Sequence, residues 1–267
     1  MKRPLRRILL STAFVMLLVP APSVHAITFG QPDGDLHPNV GTMVVEIEGE
    51  RVNVCTGTLI SPTVYLTAAH CTAGFPALGI RPDDVWVTFD STFDHRSTAL
   101  PGTYHQDPRF DGTHFSDWHD LTVVVLDDPV TGLTPAELPP LDLLDRMKDR
   151  GGLKGQEFTA VGYGRLRDSK TGPWIEELRR TNVRHYVSQT AHTLKKAWIQ
   201  MDMNPSHGNG GTCFGDSGGP HFLGGSRSNL IVATTTAGDA VCRSTDLDYR
   251  LDTRSARSFL GRYVELP

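Results

Sequence analysis

Short apolar runs recur along the chain and are separated by Gly, Pro, Asp and Asn. Several of these runs are rich in Val and Thr, which suit β-strands. The clearest runs are Thr42–Ile47, Thr58–Ile60, Val64–Thr67, Val85–Phe89, Leu121–Leu126, Phe158–Tyr163, Leu230–Thr236 and Tyr249–Asp252. Many short strands divided by turn residues are typical of a barrel or a sandwich, so the pattern predicts an all-β fold.

Helical signals are few. The segment Ser188–Gln200 is compatible with one helix, and Arg254–Tyr263 predicts a clearer one, with Thr253 or Ser255 as its N-cap. Residues 139–156 are charged and rich in Gly and Pro, which predicts a surface connection between two halves of the chain. The sequence thus predicts two β-units and a closing C-terminal helix.

The first 26 residues have the pattern of a secretory signal. A basic head is followed by the apolar run Ile8–Val19, which is too short to span a bilayer comfortably. Val24 and Ala26 are small residues at the positions that signal peptidase inspects, so we predict a signal peptide over residues 1–26. The protein is then secreted, to the outside or the periplasm, and has no membrane association after cleavage. The alternatives are a membrane anchor or a buried helix.

Composition and charge narrow the function classes. The chain has 267 residues, of which 39% are hydrophobic, enough for a substantial core. The formal net charge is −4 and no Lys/Arg cluster occurs in the body of the chain, which argues against a nucleic-acid partner.

Three stretches carry residues with catalytic potential. They are Leu66–Cys71 (LTAAHC), His119–Leu126 (HDLTVVVL) and Thr212–Pro220 (TCFGDSGGP). His70 follows a strand-like run. Asp120 lies at the mouth of an apolar strand, where a carboxylate can be partly buried and still accept hydrogen bonds.

The third stretch suits a nucleophile. Ser217 lies among glycines, so the backbone around it can adopt unusual φ values and approach a substrate closely. The amides of Gly215 and Ser217 can converge on one point in such a turn, and each donor to an oxyanion contributes about 3 kcal/mol. Asp117 and Asp127 are rival carboxylates for His70, but neither precedes the strand in the right register.

In the order His, Asp, Ser, these stretches resemble the chymotrypsin–trypsin family of serine peptidases, of which TAAHC and GDSGGP are signature motifs. The resemblance extends from Ile27 to the C-terminal helix. It implies two six-stranded antiparallel β-barrels with the site between them, followed by a helix. We therefore expect a peptidase domain over residues 27–267, with barrels over about 27–145 and 156–253 and a helix over about 254–263.

The resemblance also implies roles. Ser217 is the nucleophile, and His70 takes its proton and later gives it to the leaving amine. Asp120 orients the imidazole, and the amides of Gly215 and Ser217 form the oxyanion hole.

The four cysteines predict two disulfides in an exported protein, and sequence alone allows three pairings. The resemblance selects Cys55 with Cys71 and Cys213 with Cys242. None of the spacings resembles a zinc knuckle, so we expect no metal and no cofactor.

Activation in this family pairs a new N-terminal Ile or Val with the aspartate before the serine, which here is Asp216. No propeptide fits between the predicted signal and Ile27. The hypothesis is that signal peptidase itself makes the activating N-terminus. Otherwise cleavage falls elsewhere, or Ile27 is merely the first strand residue.

The residue six before the serine usually forms the floor of the specificity pocket, and here it is Gly211, followed by Thr212. A floor without charge predicts a preference for apolar P1 residues. Thr234, Thr235 and Thr236 replace the usual Ser-Trp-Gly wall, and their branched side chains could narrow the pocket.

Two aspartates in the returning segment bear on this preference. Asp246 or Asp248 could turn inward and restore a preference for basic P1 residues, but we expect both to be solvated loop residues.

The leading interpretation is a secreted serine endopeptidase that acts on protein or peptide substrates through an acyl-enzyme. The expected partners are these substrates and proteinaceous inhibitors, and the expected state is a monomer. The alternative is a catalytically inactive, protease-like binding protein. Whether the enzyme is digestive or a narrow processing peptidase is left open.

Overall fold

The computed structural model describes residues 27–167 and 181–267. The predicted signal peptide over residues 1–26 lies outside the described residues. A short strand, β1 (Gln31–Pro32), precedes two closed antiparallel β-barrels.

The first barrel is built from six strands that carry most of the predicted apolar runs of the N-terminal half. The strands are β2 (Val40–Ile47), β3 (Glu50–Ser61), β4 (Val64–Thr67), β5 (Val85–Thr88), β6 (Leu100–Gln106) and β7 (Thr122–Leu126). Their order around the barrel is β2-β3-β4-β7-β6-β5. Its interior is filled by branched and aromatic side chains such as Val45, Leu59, Tyr65 and Val124.

The second barrel follows a short helix, α1 (Leu143–Asp149), in the predicted connection. The strands are β8 (Glu157–Gly162), β9 (His185–Leu194), β10 (Trp198–Asp202), β11 (Pro220–Leu223), β12 (Ile231–Gly238) and β13 (Thr245–Arg250). They run in the order β9-β10-β13-β12-β11-β8, and β8 pairs with β9 to close the barrel, while β1 adds to β9 from outside.

The chain ends with helix α2 (Arg254–Leu260), whose N-cap Thr253 accepts a hydrogen bond from the Ala256 amide. The predicted fold of two six-stranded barrels with a C-terminal helix is confirmed. The helix stops at Leu260, three residues before the predicted end. Among the described residues, no helix has the length and apolarity that a membrane crossing requires.

The helix predicted over Ser188–Gln200 is wrong, because this segment forms the end of β9 and most of β10. Residues 185–190 alternate between buried and partly exposed positions, which is the two-residue period of a strand. One of the buried positions is occupied by the polar Gln189, so the sequence does not show the alternation of apolar and polar residues that indicates a strand.

The two barrels share a continuous apolar interface. Val40, Leu66 and Leu121 of the first barrel pack in one cluster with Phe222 and Trp198 of the second. This interface holds the two barrels together along the line where the candidate site lies.

Candidate active site

His70 lies in a single 3-10 turn over Ala69–Cys71, directly after β4. This turn points the His70 backbone amide and its ring at the same carboxylate, that of Asp120. Asp120 Oδ1 accepts a hydrogen bond from the His70 amide at 2.8 Å, and Asp120 Oδ2 lies 2.9 Å from His70 Nδ1. The two contacts fix the ring with Nε2 directed away from the carboxylate.

Asp120 lies just before β7 and is fully buried, more deeply than the partial burial expected from the sequence. The residue before it, His119, has φ of 52°. The left-handed region costs a non-glycine residue about 1 kcal/mol, and such conformations concentrate at functional sites. Here the strained residue immediately precedes the carboxylate that holds His70.

The serine loop, residues 213–219, is held from the first barrel by Thr56. The Thr56 amide donates to the Ser217 carbonyl at 3.0 Å, and the Thr56 hydroxyl donates to the Gly215 carbonyl at 2.8 Å. The same hydroxyl accepts from the Tyr163 amide at 3.0 Å. The sequence interpretation missed Thr56, because its position in β3 carries no signal of a contact 159 residues away.

The loop is also held from β12. The Gly218 amide donates to the Thr235 carbonyl at 2.8 Å, and the Thr235 amide donates to the Gly219 carbonyl at 2.9 Å. Gly215 and Gly218 have φ of 103° and 77°, which other residues rarely adopt. Gly215 and Gly218 of the GDSGG motif are therefore required by the path of the backbone.

A Gly218→Ala substitution is expected to destabilise the protein by about 3 kcal/mol, because the new methyl group overpacks the loop. A Cβ at this position would overlap the Thr67 hydroxyl and lie 2.6 Å from the Ala68 nitrogen and 2.7 Å from the Thr56 carbonyl oxygen. The measurement is the urea midpoint of unfolding.

Gly79→Ala is the matched control for this prediction. Gly79 has nearly the same φ, 74°, but no atom lies within 4 Å of its would-be Cβ. It should cost only the conformational penalty of about 1 kcal/mol. Equal costs for the two substitutions would contradict the steric argument.

His70 and Ser217 line the same cavity, which has a volume of about 320 Å³. A sulfur atom, Cys71 Sγ, lies 3.9 Å from both His70 Nε2 and the Ser217 carbonyl oxygen. The imidazole edge that faces away from Asp120 is therefore next to the serine loop.

Both disulfides implied by the resemblance are present, between Cys55 and Cys71 and between Cys213 and Cys242. The first joins the histidine turn to β3, and the second joins the serine loop to the segment after β12. One disulfide therefore anchors the histidine turn, and the other anchors the serine loop.

The same cavity is also lined by Thr212 and by Thr235 and Thr236 of β12. Of the five predicted substrate-binding residues, these three line it. Gly211 and Thr234 are buried behind it. A Cβ on Gly211 would collide with the side chain of Met203, so this position has no room for a floor residue of any size.

An acidic residue that the sequence interpretation did not consider, Asp239, also lines the cavity. Asp239 accepts hydrogen bonds from the backbone amides of Arg243, Ser244 and Thr245 at 2.8 to 3.0 Å. Partial burial raises the pKa of Asp239, but these bonds outweigh the burial and lower it below its usual value. Asp239 is therefore an ionised carboxylate whose oxygens bind the backbone of residues 243–245.

The expectation that Asp246 and Asp248 are solvated is wrong, because both lie in β13 and are fully buried. Asp246 binds Thr212, accepting from its hydroxyl at 2.5 Å and from its amide at 3.0 Å. Asp248 lies 2.8 Å from Nε2 of the buried His221. The returning segment was misread because strand β13 alternates charged residues with Leu247 and Tyr249, a pattern typical of exposed strands.

Asp216 is also fully buried. Its carboxylate accepts from the Cys213 amide at 2.9 Å and the Gly164 amide at 2.8 Å. Burial and then nearby Asp246 raise the pKa of Asp216 to about 7, against the lowering effect of these bonds. A nearby cation would stabilise the ionised form of such a buried carboxyl group and lower its pKa.

The segment that begins at Ile27 is packed beside the same loop. Ile27 is fully buried against Ala160 and Val187. Thr28 exchanges backbone hydrogen bonds with Gly211 at 2.9 and 3.1 Å, and its hydroxyl donates to the Cys242 carbonyl. The segment that begins at Ile27 thus contacts Gly211, just before the serine loop, and Cys242, the disulfide partner of Cys213 in that loop.

Two groups among the described residues bring potential metal ligands together. In the first, Cys55 and Cys71 share a disulfide and are not available beside His70. In the second, His221, Asp246 and Asp248 are bonded to one another or to Thr212. The absence of a metal cofactor remains a prediction.

A two-barrel fold with a buried Asp–His pair and a serine loop on one cleft is that of the chymotrypsin/trypsin-like serine peptidases. The family model for trypsin matches residues 36–258. The chain belongs to the trypsin family, and the resemblance drawn from TAAHC and GDSGGP is confirmed.

Individual relatives are distant. The chain is 27% identical to a trypsin of Saccharopolyspora erythraea over 195 residues, 71% of this chain and 77% of that protein. It is 28% identical to the serine protease filzig of Drosophila melanogaster over 184 residues, 64% of this chain but 10% of that longer protein. A solved structure of HL collagenase has a TM-score of 0.63 at 19% identity, covering 89% of this chain and 97% of the other. The last similarity establishes the shared fold.

Proposed function

We propose that the protein is a secreted serine endopeptidase that hydrolyses peptide bonds with Ser217, His70 and Asp120. The observation that carries this proposal is the buried Asp120 carboxylate, which binds both the amide and the ring of His70, on a cleft that Ser217 also lines. A His held by two contacts to one carboxylate has its tautomer fixed, with Nε2 free to accept a proton.

In the proposed reaction the Ser217 oxygen attacks the peptide carbonyl carbon, and His70 Nε2 takes the hydroxyl proton. The tetrahedral intermediate collapses, the C–N bond breaks, and His70 gives the proton to the leaving amine. Water then attacks the acyl-enzyme with His70 again as base, and Ser217 is regenerated. Asp120 stays ionised and stabilises the imidazolium.

The amides of Gly215 and Ser217 are the proposed oxyanion donors. Within the described residues, neither amide donates to a protein acceptor, whereas the neighbouring amides of Asp216, Gly218 and Gly219 all do. Two adjacent donors left open on the substrate cleft are what a developing negative charge requires.

Covalent labelling tests the nucleophile. A fluorophosphonate should label the wild-type protein once, and Ser217→Ala should abolish labelling and peptide hydrolysis. Thr236→Ser, a conservative change on the cavity wall, should still be labelled. An unlabelled, inactive but folded wild-type protein would favour the alternative of a protease-like binding protein.

We further propose that the cavity takes an uncharged, mainly apolar P1 side chain. The floor position Gly211 carries no charge, and Asp246 behind Thr212 is occupied by hydrogen bonds to Thr212 and Gln189. The Asp239 oxygens are likewise engaged by backbone amides. No carboxylate oxygen described at the cavity is left without a donor for a P1 cation.

Cleavage profiling of a denatured proteome tests this specificity. We expect Leu, Met, Phe or Tyr at P1 in most cleaved bonds, with Lys and Arg depleted. Dominant cleavage after Lys and Arg would mean that the negative potential of Asp239 or Asp246 reaches the P1 side chain and would overturn the proposal. The same data report whether the enzyme cuts broadly or at few sites.

The proposal extends to activation. A free ammonium on Ile27 would supply the cation that the buried Asp216 carboxylate gains from most. Ile27 packs on Ala160 of β8, and the positions of Gly162 and Gly164 a few residues further lie against the Asp216 carboxylate. Secretion, action as a monomer and control by proteinaceous inhibitors complete the proposed function.

A further inference from the structure

Behind the P1 cavity lies a buried polar group that the proposed chemistry does not use. It consists of His221 on β11 and of Asp246 and Asp248 on β13, and we call it the barrel-interior cluster. All three side chains are fully buried, and one nitrogen or oxygen atom from each lies within 4.8 Å of those of the other two. His221 Nε2 lies 2.8 Å from Asp248 Oδ1.

The cluster binds two separate segments of the cavity lining. Asp246 accepts hydrogen bonds from the hydroxyl and the amide of Thr212, at 2.5 and 3.0 Å. His221 Nε2 lies 3.0 Å from the hydroxyl oxygen of Thr235. Thr212 and Thr235 both line the cavity, so the cluster connects its walls from behind.

We propose that the barrel-interior cluster determines specificity by fixing the separation of the Thr212 and Thr235 walls, with His221 as the central positioning residue. The proposal rests on the proposed peptidase function and adds to it the group that sets the width of the P1 cavity. None of the three cluster residues lines the cavity, so they act through the two threonines.

The charges of the cluster are mutually dependent. Burial and then nearby Asp246 raise the pKa of Asp248 to about 8, against the lowering effect of His221. Burial lowers the pKa of His221, but Asp248 and then Asp246 and Asp216 outweigh this effect and raise it. Removing one member of such a group leaves an uncompensated buried charge, which is strongly destabilising locally. Loss of His221 should therefore loosen both aspartates, including the contact of Asp246 with Thr212.

The geometry favours this positioning role over a metal site. Asp246 already accepts three hydrogen bonds, two from Thr212 and one from Gln189 Nε2 at 2.5 Å. His221 Nε2, the nitrogen nearest the carboxylates, is also within reach of the Thr235 hydroxyl. The oxygens of Asp246 and the Nε2 atom of His221 are thus engaged with the cavity walls, and Asp248 is paired with the same Nε2 atom.

The test compares His221→Gln, Asp248→Asn and the double variant on peptides that differ only at P1, which is Ala, Leu or Phe. For each single variant we expect KM for Leu and Phe to rise about tenfold, while KM for Ala and all kcat values change less than about threefold. Because the two residues act as one unit, the double variant should change KM no more than a single one.

His37→Gln is the matched control. His37 is also a buried histidine paired with an aspartate, with Nδ1 2.5 Å from Asp33 Oδ1, but it does not line or bind the cavity walls. It should lower thermal stability without changing the ratio of KM values among the three substrates. Asp248→Asn conserves volume and keeps an acceptor for the imidazole, so it tests the proposal if His221→Gln does not fold.

Other outcomes are equally informative. A loss that is uniform across P1 residues, or a fall in kcat alone, would overturn the positioning role, as would unchanged KM ratios in folded variants. Failure of the proposed function would look different, because the wild-type protein itself would show no Ser217-dependent hydrolysis or labelling.

Discussion

Replacing His70 with alanine is expected to lower kcat about a million-fold, because removing the base from a triad costs nearly as much as removing the whole triad. Asp120→Asn should lower kcat about ten-thousand-fold, since an amide can donate to Nδ1 and favour the wrong tautomer. The measurement is kcat on a chromogenic peptide at saturating substrate, with active sites counted by titration. The His70 backbone amide donates to Asp120 Oδ1 at 2.8 Å, and both variants keep this amide and one acceptor oxygen, so they should remain folded.

His114→Ala is the control for these variants. His114 Nδ1 also lies close to a carboxylate, 2.5 Å from Asp111 Oδ2, but the pair is exposed and lies outside the cavity. Its loss should leave kcat unchanged. A His70→Ala variant with a near-normal rate would show that another base activates Ser217 and would remove the basis of the proposed mechanism.

The parts of the molecule that sequence reasoning predicted are those encoded locally. LTAAHC, HDLTVVVL and GDSGGP are each an unbroken stretch of sequence. Local backbone conformation restricts their residue types, as the positive φ of Gly215 and Gly218 shows. The two barrels followed from the family resemblance and from Val- and Thr-rich runs whose alternation is undisturbed.

The parts that were missed depend on partners distant in sequence. Thr56 holds the serine loop from the other barrel, and nothing in the neighbourhood of Thr56 signals that contact. Strand β9 and strand β13 carry Gln189, Asp246 and Asp248 on the inside of a barrel, where a pattern-based interpretation expects apolar residues. These side chains bind one another or the cavity walls, so the positions that break the apolar pattern are the ones that bear on function.

The largest effect on stability should come from the state of the N-terminus. A protein that keeps extra residues ahead of Ile27 is expected to lose stability as the pH rises from about 4 to about 8, whereas a protein that begins at Ile27 is not. In the extended form the folded-state pKa of Asp216, about 7, lies above its ordinary value of 3.8 because of burial. A raised pKa means that the protonated form is favoured by folding, so the stabilisation is complete below the unfolded pKa and is lost as the pH rises through 7.

The loss should approach about 4 kcal/mol above pH 8, since each pKa unit corresponds to about 1.36 kcal/mol. That free energy corresponds to a fall in Tm on the order of 10 °C for a domain of this size. In the Ile27 form the ammonium holds Asp216 ionised at neutral pH, so the decline should begin only when the amine itself deprotonates. Tm measured against pH for the two forms checks the prediction.

The protein that begins at Ile27 should also be more active than the protein with extra residues ahead of Ile27. Without the ammonium, the amides of Gly215 and Ser217 are not held in their donating arrangement, and loss of an oxyanion donor costs about a hundred- to a thousand-fold in kcat. Asp216→Asn is the matched variant, because it removes the titrating group. It should abolish the pH dependence of Tm in the extended form and lower kcat in the Ile27 form. If the two forms have equal kcat and the same dependence of Tm on pH, Ile27 and Asp216 do not form an ion pair, and the buried carboxylate is neutralised by a proton alone.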